Sequence, residues 1–309
     1  LVAIKLLVGF IRGYKVIFMT FARKNSGFWL RYTELFKDNG YSGLWFASFG
    51  ERIPEGFLIK YDIRNAHVSR DYAKINGSIF SLKNGEASAV TNKFKWFLKI
   101  KPLFKTVNSM PFLFRVFRRG SEYVMVTPLA IFNGSITYDD RVYEISEYKG
   151  MIGYISSNRY LHHWVWVHCS GFEEDNNGWL DLLIASPDGT KDVMFGSIML
   201  HGKMFYIGRM IGLPFNGKYD IDYLRTNVRI NRNVLVNINV IANKNDMIIA
   251  KYEDPVEGYR YCHNTEIADM SMTMQINNET KQLTCVKRTF FEYALPRILD
   301  ENLSQIKYL

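Results

Sequence analysis

The sequence predicts an all-β fold in two barrel-like modules, and three observations carry that prediction. Aromatic residues make up 15 % of the 309 residues, with 22 Phe and 19 Tyr against 8 Pro, and aromatic side chains favour strands. Short β-rich runs recur at about 8–12-residue spacing, separated by turn sequences such as KDNG, NNG, PDG, FNG and INNE. The runs number about twenty, too many for one small closed barrel of about eight strands.

Taken in order, Tyr14–Ala22 and Gly27–Leu35 are strand-like and joined by the polar RKNS. Asn39-Gly40 is a hairpin signal ahead of Leu44–Gly50, because Asn and Gly tolerate the positive φ of a tight hairpin turn. Strands are further expected at Gly56–Asp62, Glu122–Pro128, Ala130–Thr137, Arg141–Ile145 and Gly150–Ile155. Leu161–Phe172, Gly178–Ala185, Val193–Met199, Val234–Ala242, Ile267–Ile276 and Gln282–Tyr293 continue the pattern. Pro296–Leu309 has Pro near its start and apolar residues at Ile298, Leu299, Leu303 and Ile306, which predicts a short amphipathic C-terminal helix. A boundary near residue 150 divides the chain into modules 1–149 and 150–309. No Pro- or Ser-rich linker marks it, so the modules are expected to pack tightly.

Hydrophobic residues at 48 % and charged residues at 22 % exclude the disordered class. A net charge of +9 admits anionic partners, although solubility alone also accounts for it. The cysteine count is odd, and Cys169, Cys262 and Cys285 form no CxxC pair. A disulfide framework is therefore not expected, and a cytoplasmic setting is. The apolar stretch LVAIKLLVGFI (residues 1–11) is interrupted by Lys5 and too short to span a bilayer. It reads as a packed terminal segment, and Leu1 leaves the true start open. Phosphate-binding loops, dinucleotide fingerprints, HExxH and GxSxG are absent from the sequence, so no cofactor is expected.

The richest stretch for chemistry is Gly150–Phe172. Three of the six histidines and two of the six tryptophans fall between Tyr160 and Ser170. Strand alternation puts His162, Trp164, Trp166 and His168 on one face and His163, Val165, Val167 and Cys169 on the other. Such an aromatic, hydrogen-bonding face suits a pocket for an apolar ligand with a polar handle. Trp faces can stabilise a cation and a nearby His or carboxylic acid can move a proton; a merely packed core strand is the bland alternative. His162 and His168 lie about 20 Å apart along a strand, so they cannot share a metal ion, and no metal site is expected.

Asp181 lies inside the apolar run GWLDLLIAS, where a carboxylate is either paired or raised in pKa. On FWLRYTEL, Arg31 shares a face with Trp29 and Glu34 points the opposite way. Arg31 there either binds a carboxylate or forms a structural ion pair. Tyr261 and His263 belong to a second polar cluster, with Cys262, Asn264, Glu266 and Asp269. Residues 93–119 carry eight Lys/Arg, no acid and interleaved aromatics. They suit an anionic membrane surface better than nucleic acid, which is not an expected partner; a plain solvated basic face is the simpler reading.

Several stretches in order resemble the lipocalin-like superfamily of tocopherol cyclase, hydroxyneurosporene synthase (carotenoid hydratase) and AttH-type proteins. These are GFWLRYTEL followed by SGLWFASF, TPLAIFNGSITYDDRVYEISEYKGMIGYI, LHHWVWVHCSGF, and YCHNTEIADM with a later strand ending in FFEY. The chain departs from that pattern at Gly153-Tyr154-Ile155-Ser156, where members carry a GHxWG-like turn. The resemblance implies two tandem calycin-type barrels and a hydrophobic, isoprenoid or lipid-like ligand, with hydratase or cyclase chemistry on a prenyl double bond in some branches. On this reading the candidate catalytic residues are His168, Asp181 and Glu34. The candidate ligand-binding residues are Trp164, Trp166, His162, Trp29, Arg31, Tyr261 and His263. A non-catalytic lipid carrier or a scaffold peripheral to a membrane is the alternative. The two diverge on one feature: an enzyme needs a buried acid facing the aromatic cavity.

Overall fold

The computed structural model describes residues 13–50, 52–117 and 121–309, so the apolar stretch 1–11 lies outside the described residues. The first sheet is built from β1 (Gly13–Arg23), β2 (Ser26–Phe36), β3 (Tyr41–Phe49), β4 (Glu55–Asp62), β5 (His67–Val68), β6 (Tyr72–Ile75), β7 (Ser78–Ser81), β8 (Glu86–Val90), β9 (Phe94–Pro102), β10 (Glu122–Tyr138) and β11 (Arg141–Ser157). A short helix, α1 (Phe112–Phe117), interrupts it. The second sheet holds β12 (His163–Ser170), β13 (Trp179–Ser186), β14 (Val193–Leu200), β15 (Lys203–Ile207), β16 (Leu213–Pro214), β17 (Gly217–Asp220), β18 (Tyr223–Asn231), β19 (Val234–Ile241), β20 (Ile248–Glu253), β21 (Tyr259–Ile276) and β22 (Glu279–Leu295). Two last short strands, β23 (Ser304–Gln305) and β24 (Lys307–Tyr308), complete the molecule.

Both sheets are antiparallel meanders that curl. The first runs β4-β3-β2-β1-β11-β10-β9-β8-β7-β6-β5, so the sequence neighbours β4 and β5 stand at opposite ends of the hydrogen-bonded order. The second runs β15-β14-β13-β12-β22-β21-β19-β18-β17. Each sheet encloses its own apolar core. Phe21, Phe28, Tyr32, Phe46, Phe94 and Trp96 fill the first, and Val165, Val167, Leu182, Ile198, Val236 and Phe291 help fill the second. Positive φ at Lys24 and Asn25 closes the β1–β2 hairpin, and Asn39 at φ 59° closes β2–β3, as the turn sequences predict.

Strands β2, β3, β12 and β13 are buried on both faces. Their outer faces form a third core between the sheets, with Phe18, Trp29, Trp45, Tyr160, Trp164, Trp166, Tyr252 and Phe290 among its members. This two-sided burial is why these strands read as nearly continuous apolar runs.

One expectation is corrected: residues 296–309 form no helix. Ser304–Gln305 adds in parallel to β20 of the second sheet, and Lys307–Tyr308 adds in parallel to β4 of the first. Leu303 is buried in the second core and Ile306 in the intersheet core. Two edge strands thus outbid a helix, since each offers the tail unpaired backbone groups. Within the 93–119 segment, β9 alternates between the core and a solvated basic face. Along β9, Phe94, Trp96, Leu98 and Ile100 are buried, and Lys95, Phe97, Lys99 and Lys101 are exposed. Gly150, the expected module boundary, lies in mid-strand on β11, and the chain crosses to the second sheet between Ser157 and His163.

Candidate functional site between the sheets

A cavity of about 120 Å³ lies between the outer faces of the two sheets. A single enclosed water needs about 10–15 Å³ on the same measure, so the space suits a compact organic ring system. Its wall is apolar and aromatic, from Tyr14, Phe18, Trp29, Tyr160, Trp164, Trp166, Leu183, Phe195 and Tyr252. The polar groups deep in it are Arg31, Tyr123 and Glu292.

Strand register explains the assembly. Arg31 sits opposite Phe18 on β1 and Trp45 on β3. Trp166 sits opposite Leu183 on β13 and Glu292 on β22. Phe18 faces Gly153 on β11, and a Cβ on Gly153 would lie 2.3 Å from the Phe18 ring. The bare backbone there lets Phe18 lie back and present its edge to Trp166, 5.8 Å away between ring centres.

Arg31 is 5 % exposed. Its Nε donates to Thr33 Oγ1 at 2.9 Å and an Nη donates to Tyr160 Oη at 3.0 Å. The guanidinium packs over Tyr252 at 4.3 Å and Trp45 at 5.3 Å from the ring centres. Among the described residues it forms no ion pair. A buried guanidinium whose only partners are a hydroxyl, a phenol and aromatic faces keeps its full charge for whatever enters the cavity.

Glu292 is half-buried, its open part facing the cavity. Trp164 Nε1 donates to Oε2 at 3.3 Å. Burial raises the Glu292 pKa, and neither the Trp164 hydrogen bond nor the Arg31 charge cancels that push. The cavity therefore holds a carboxyl group whose pKa burial raises above its ordinary value, and it faces the aromatic wall as the enzyme reading requires.

Behind the wall, three groups converge on Asp181 Oδ1. Tyr123 Oη donates at 2.8 Å, Trp166 Nε1 donates at 2.9 Å, and His168 Nδ1 lies at 3.2 Å. His168 Nε2 lies 2.9 Å from the Pro128 carbonyl and 3.0 Å from Ser170 Oγ. A carbonyl only accepts, so Nε2 donates to Pro128, which leaves Nδ1 facing Asp181 Oδ1 in a site where both side chains are fully buried. Tyr123, the cavity-facing end of this set, has its pKa pushed far up by burial and by Asp181, and so stays a phenol. Asp181 Oδ2 has no partner among the described residues.

The structure brings together Trp29, Arg31, Trp164 and Trp166 in the cavity wall, with His168 and Asp181 one layer behind. Glu34 is not with them: it faces the interior of the first sheet beside Val68, with its pKa raised by burial. His162 precedes β12, is exposed and contacts His163. Tyr261 packs against the second sheet's core, and His263 bonds the Tyr293 carbonyl and the Leu299 N–H, so both point away from the cavity. Glu292, Tyr123, Tyr160 and Tyr252 are site residues that sequence reasoning missed. Glu292 had a signal, a lone carboxylate in the apolar run TFFEYAL, the same signal that singles out Asp181. Among the described residues no three His, Cys, Asp or Glu side chains converge as a metal set.

No family model and no curated protein matches the sequence. Solved structures do match the fold. An AttH-like protein from Nitrosomonas europaea superimposes with a TM-score of 0.55 at 10 % identity, covering 93 % of each chain. Kievitone hydratase from Nectria haematococca gives 0.53 at 10 % identity, over 92 % of this chain and 89 % of that one. CghA with Sch210972 gives 0.61 at 7 % identity, over 92 % and 88 %. This chain therefore shares its fold with these three proteins. No helix among the described residues is long and apolar enough to cross a membrane.

Proposed function

We propose that this protein binds a hydrophobic small molecule, isoprenoid-like and bearing an oxygen function, in the cavity between two barrel-like modules, and adds water or an internal hydroxyl across its double bond. One observation carries the reading: an aromatic cavity faced by the Glu292 carboxyl, whose pKa burial raises, and by an Arg31 that forms no ion pair among the described residues. A carrier needs neither group, and burying them costs stability. Kievitone hydratase, which shares the fold, supports chemistry of this class.

Arg31 binds the ligand's oxygen function and Tyr160 orients the guanidinium. That places the double bond at the other end, against Trp164, Trp166 and Glu292. Glu292 transfers its proton to one alkene carbon, forming a C–H bond. Trp164 and Trp166 face the positive charge left on the other carbon. Water, or a hydroxyl of the ligand itself, bonds to that carbon and returns its proton to the Glu292 carboxylate, so the acid is regenerated. Tyr123, Asp181 and His168 fix the Trp166 indole by hydrogen bonds and touch no reacting atom.

The test is incubation with a panel of prenylated phenols, read by mass spectrometry as gain of one water or as an isomer of unchanged mass. Wild type gives product. Glu292→Gln retains binding, followed by tryptophan fluorescence, and loses turnover by about 10²-fold or more. Turnover in Glu292→Gln equal to wild type overturns the assignment, and tight binding without product by wild type selects the carrier.

A further inference from the structure

Beyond the proposed chemistry, the rim of the cavity has a feature that the reaction does not use. Phe112 and Val116 on α1 and Met210 and Ile211 on the following loop are 48 %, 46 %, 61 % and 61 % exposed. They are far apart in sequence and adjacent in space: the Phe112 N–H donates to the Arg209 carbonyl and the Leu113 N–H to the Met210 carbonyl, both at 3.1 Å. The tip that carries Met210 and Ile211 is held by Gly208 and Gly212, both at positive φ and joined by a 2.8 Å backbone hydrogen bond. A Cβ on Gly208 would lie 2.6 Å from the Gly212 Cα. The backbone is therefore constrained to a glycine-only geometry that keeps two large apolar side chains in water.

The charges beside this patch are of one sign. Arg115 lies over the Phe112 ring and Arg209 over the Tyr206 ring, and the exposed Arg159 is on the cavity rim. The acid on that rim, Glu122, is already paired with Arg70. Apolar tips ringed by free guanidinium groups complement an anionic lipid surface, where the tips enter the acyl boundary and the cations stay with the headgroups. The patch also continues into the cavity. Met110 and Phe114, on the α1 segment, line the cavity, and Phe114 packs on Phe195 of its wall at 6.1 Å.

We propose that α1 and the 208–212 loop form a docking surface for an anionic lipid bilayer, seating the cavity mouth against the membrane. The occupant is a lipid surface rather than a second copy of the chain, because the guanidinium groups would face their own kind across a symmetric contact.

The experiment is co-sedimentation of the full chain with phosphatidylcholine vesicles with and without phosphatidylserine. The wild type is expected to bind the phosphatidylserine vesicles, to bind phosphatidylcholine alone much more weakly, and to lose affinity in high salt. Met210→Ser/Ile211→Ser and, separately, Arg115→Glu/Arg209→Glu each lower binding about tenfold or more, with the far-ultraviolet circular dichroism unchanged. Absence of wild-type binding, wild-type binding retained by both double variants, or a dimer in solution that Met210→Ser/Ile211→Ser dissociates would each overturn the proposal. Turnover of a prenylated phenol in free solution does not involve these residues, so docking and the chemistry at Glu292 fail separately.

Discussion

Asp181→Ala tests the buried hydrogen-bond set without any knowledge of the ligand. Asp181 Oδ1 accepts from Tyr123 and Trp166 and lies within hydrogen-bond distance of His168 Nδ1. Truncation affects the three partners unequally. Trp166 Nε1 keeps a second acceptor, the Tyr123 oxygen at 3.0 Å, so it stays satisfied. The Tyr123 hydroxyl hydrogen and His168 Nδ1 are orphaned in a fully buried site, at about 1–3 kcal/mol each. Removing the unpartnered Oδ2 returns part of that loss. The net expectation is destabilisation by about 2–4 kcal/mol. Asp181→Asn keeps an acceptor for Tyr123 and Trp166 and alters only the His168 contact, so it costs less, about 1–2 kcal/mol. Urea unfolding at neutral pH, compared at constant m-value, measures both. A double-mutant cycle between Tyr123→Phe and Asp181→Asn is expected to show coupling of about 1 kcal/mol. An Asp181→Ala loss below about 0.5 kcal/mol, or Asn costing more than Ala, refutes the network as described.

Two further expectations concern stability. Glu266 is buried with Thr20 and Asn264, and burial raises its pKa well above the usual carboxylate range. The folded protein holds that proton while the unfolded chain releases it above its ordinary pKa, so stability falls as pH rises through and beyond the ordinary value, at about 1.4 kcal/mol per pH unit while the folded group stays protonated. Glu266→Gln removes this dependence and stabilises the protein more at pH 8 than at pH 5; thermal melts showing no pH dependence of the difference would contradict it. Deleting residues 304–309 removes the buried Ile306 and the Lys307–Glu55 ion pair, and is expected to cost about 2–4 kcal/mol by urea unfolding. An unchanged midpoint would show that the tail is not a strap.

The parts of this architecture that were legible in the sequence obey local rules. A period of two placed Trp164, Trp166 and His168 together, Asn39-Gly40 marked its hairpin, and Asp181 stood out as a carboxylate in an apolar run. Arg31 and Trp29 were assigned a common face for the same reason. What was not legible depends on which face is covered by what. The face carrying Trp164 and Trp166 was expected to line a barrel, and only the pairing of whole sheets puts it between the two sheets instead. Glu34 and Arg31 sit three residues apart, yet one is in the first sheet's interior and the other in the intersheet cavity. The spacing of Ile298, Leu299, Leu303 and Ile306 fits a helix, but the free edges of β20 and β4 lie far off in sequence and decide otherwise. Glu292 could have been read by the rule that found Asp181, since both interrupt runs that are buried on each side.

The cavity's two halves come from β1, β2, β10 and β11 on one side and from β12, β13, β14, β20 and β22 on the other. During synthesis the first sheet can complete its own hydrogen-bonded order before β22 exists. In that interval its outer face, with Phe18, Trp29 and Trp45, stands bare as a sticky slab next to the charged Arg31. Such a slab is a target for chaperones and for wrong neighbours alike. The separation that lets two distant stretches of chain build one dry cavity thus makes the nascent protein's most vulnerable surface the same one that later becomes its binding site.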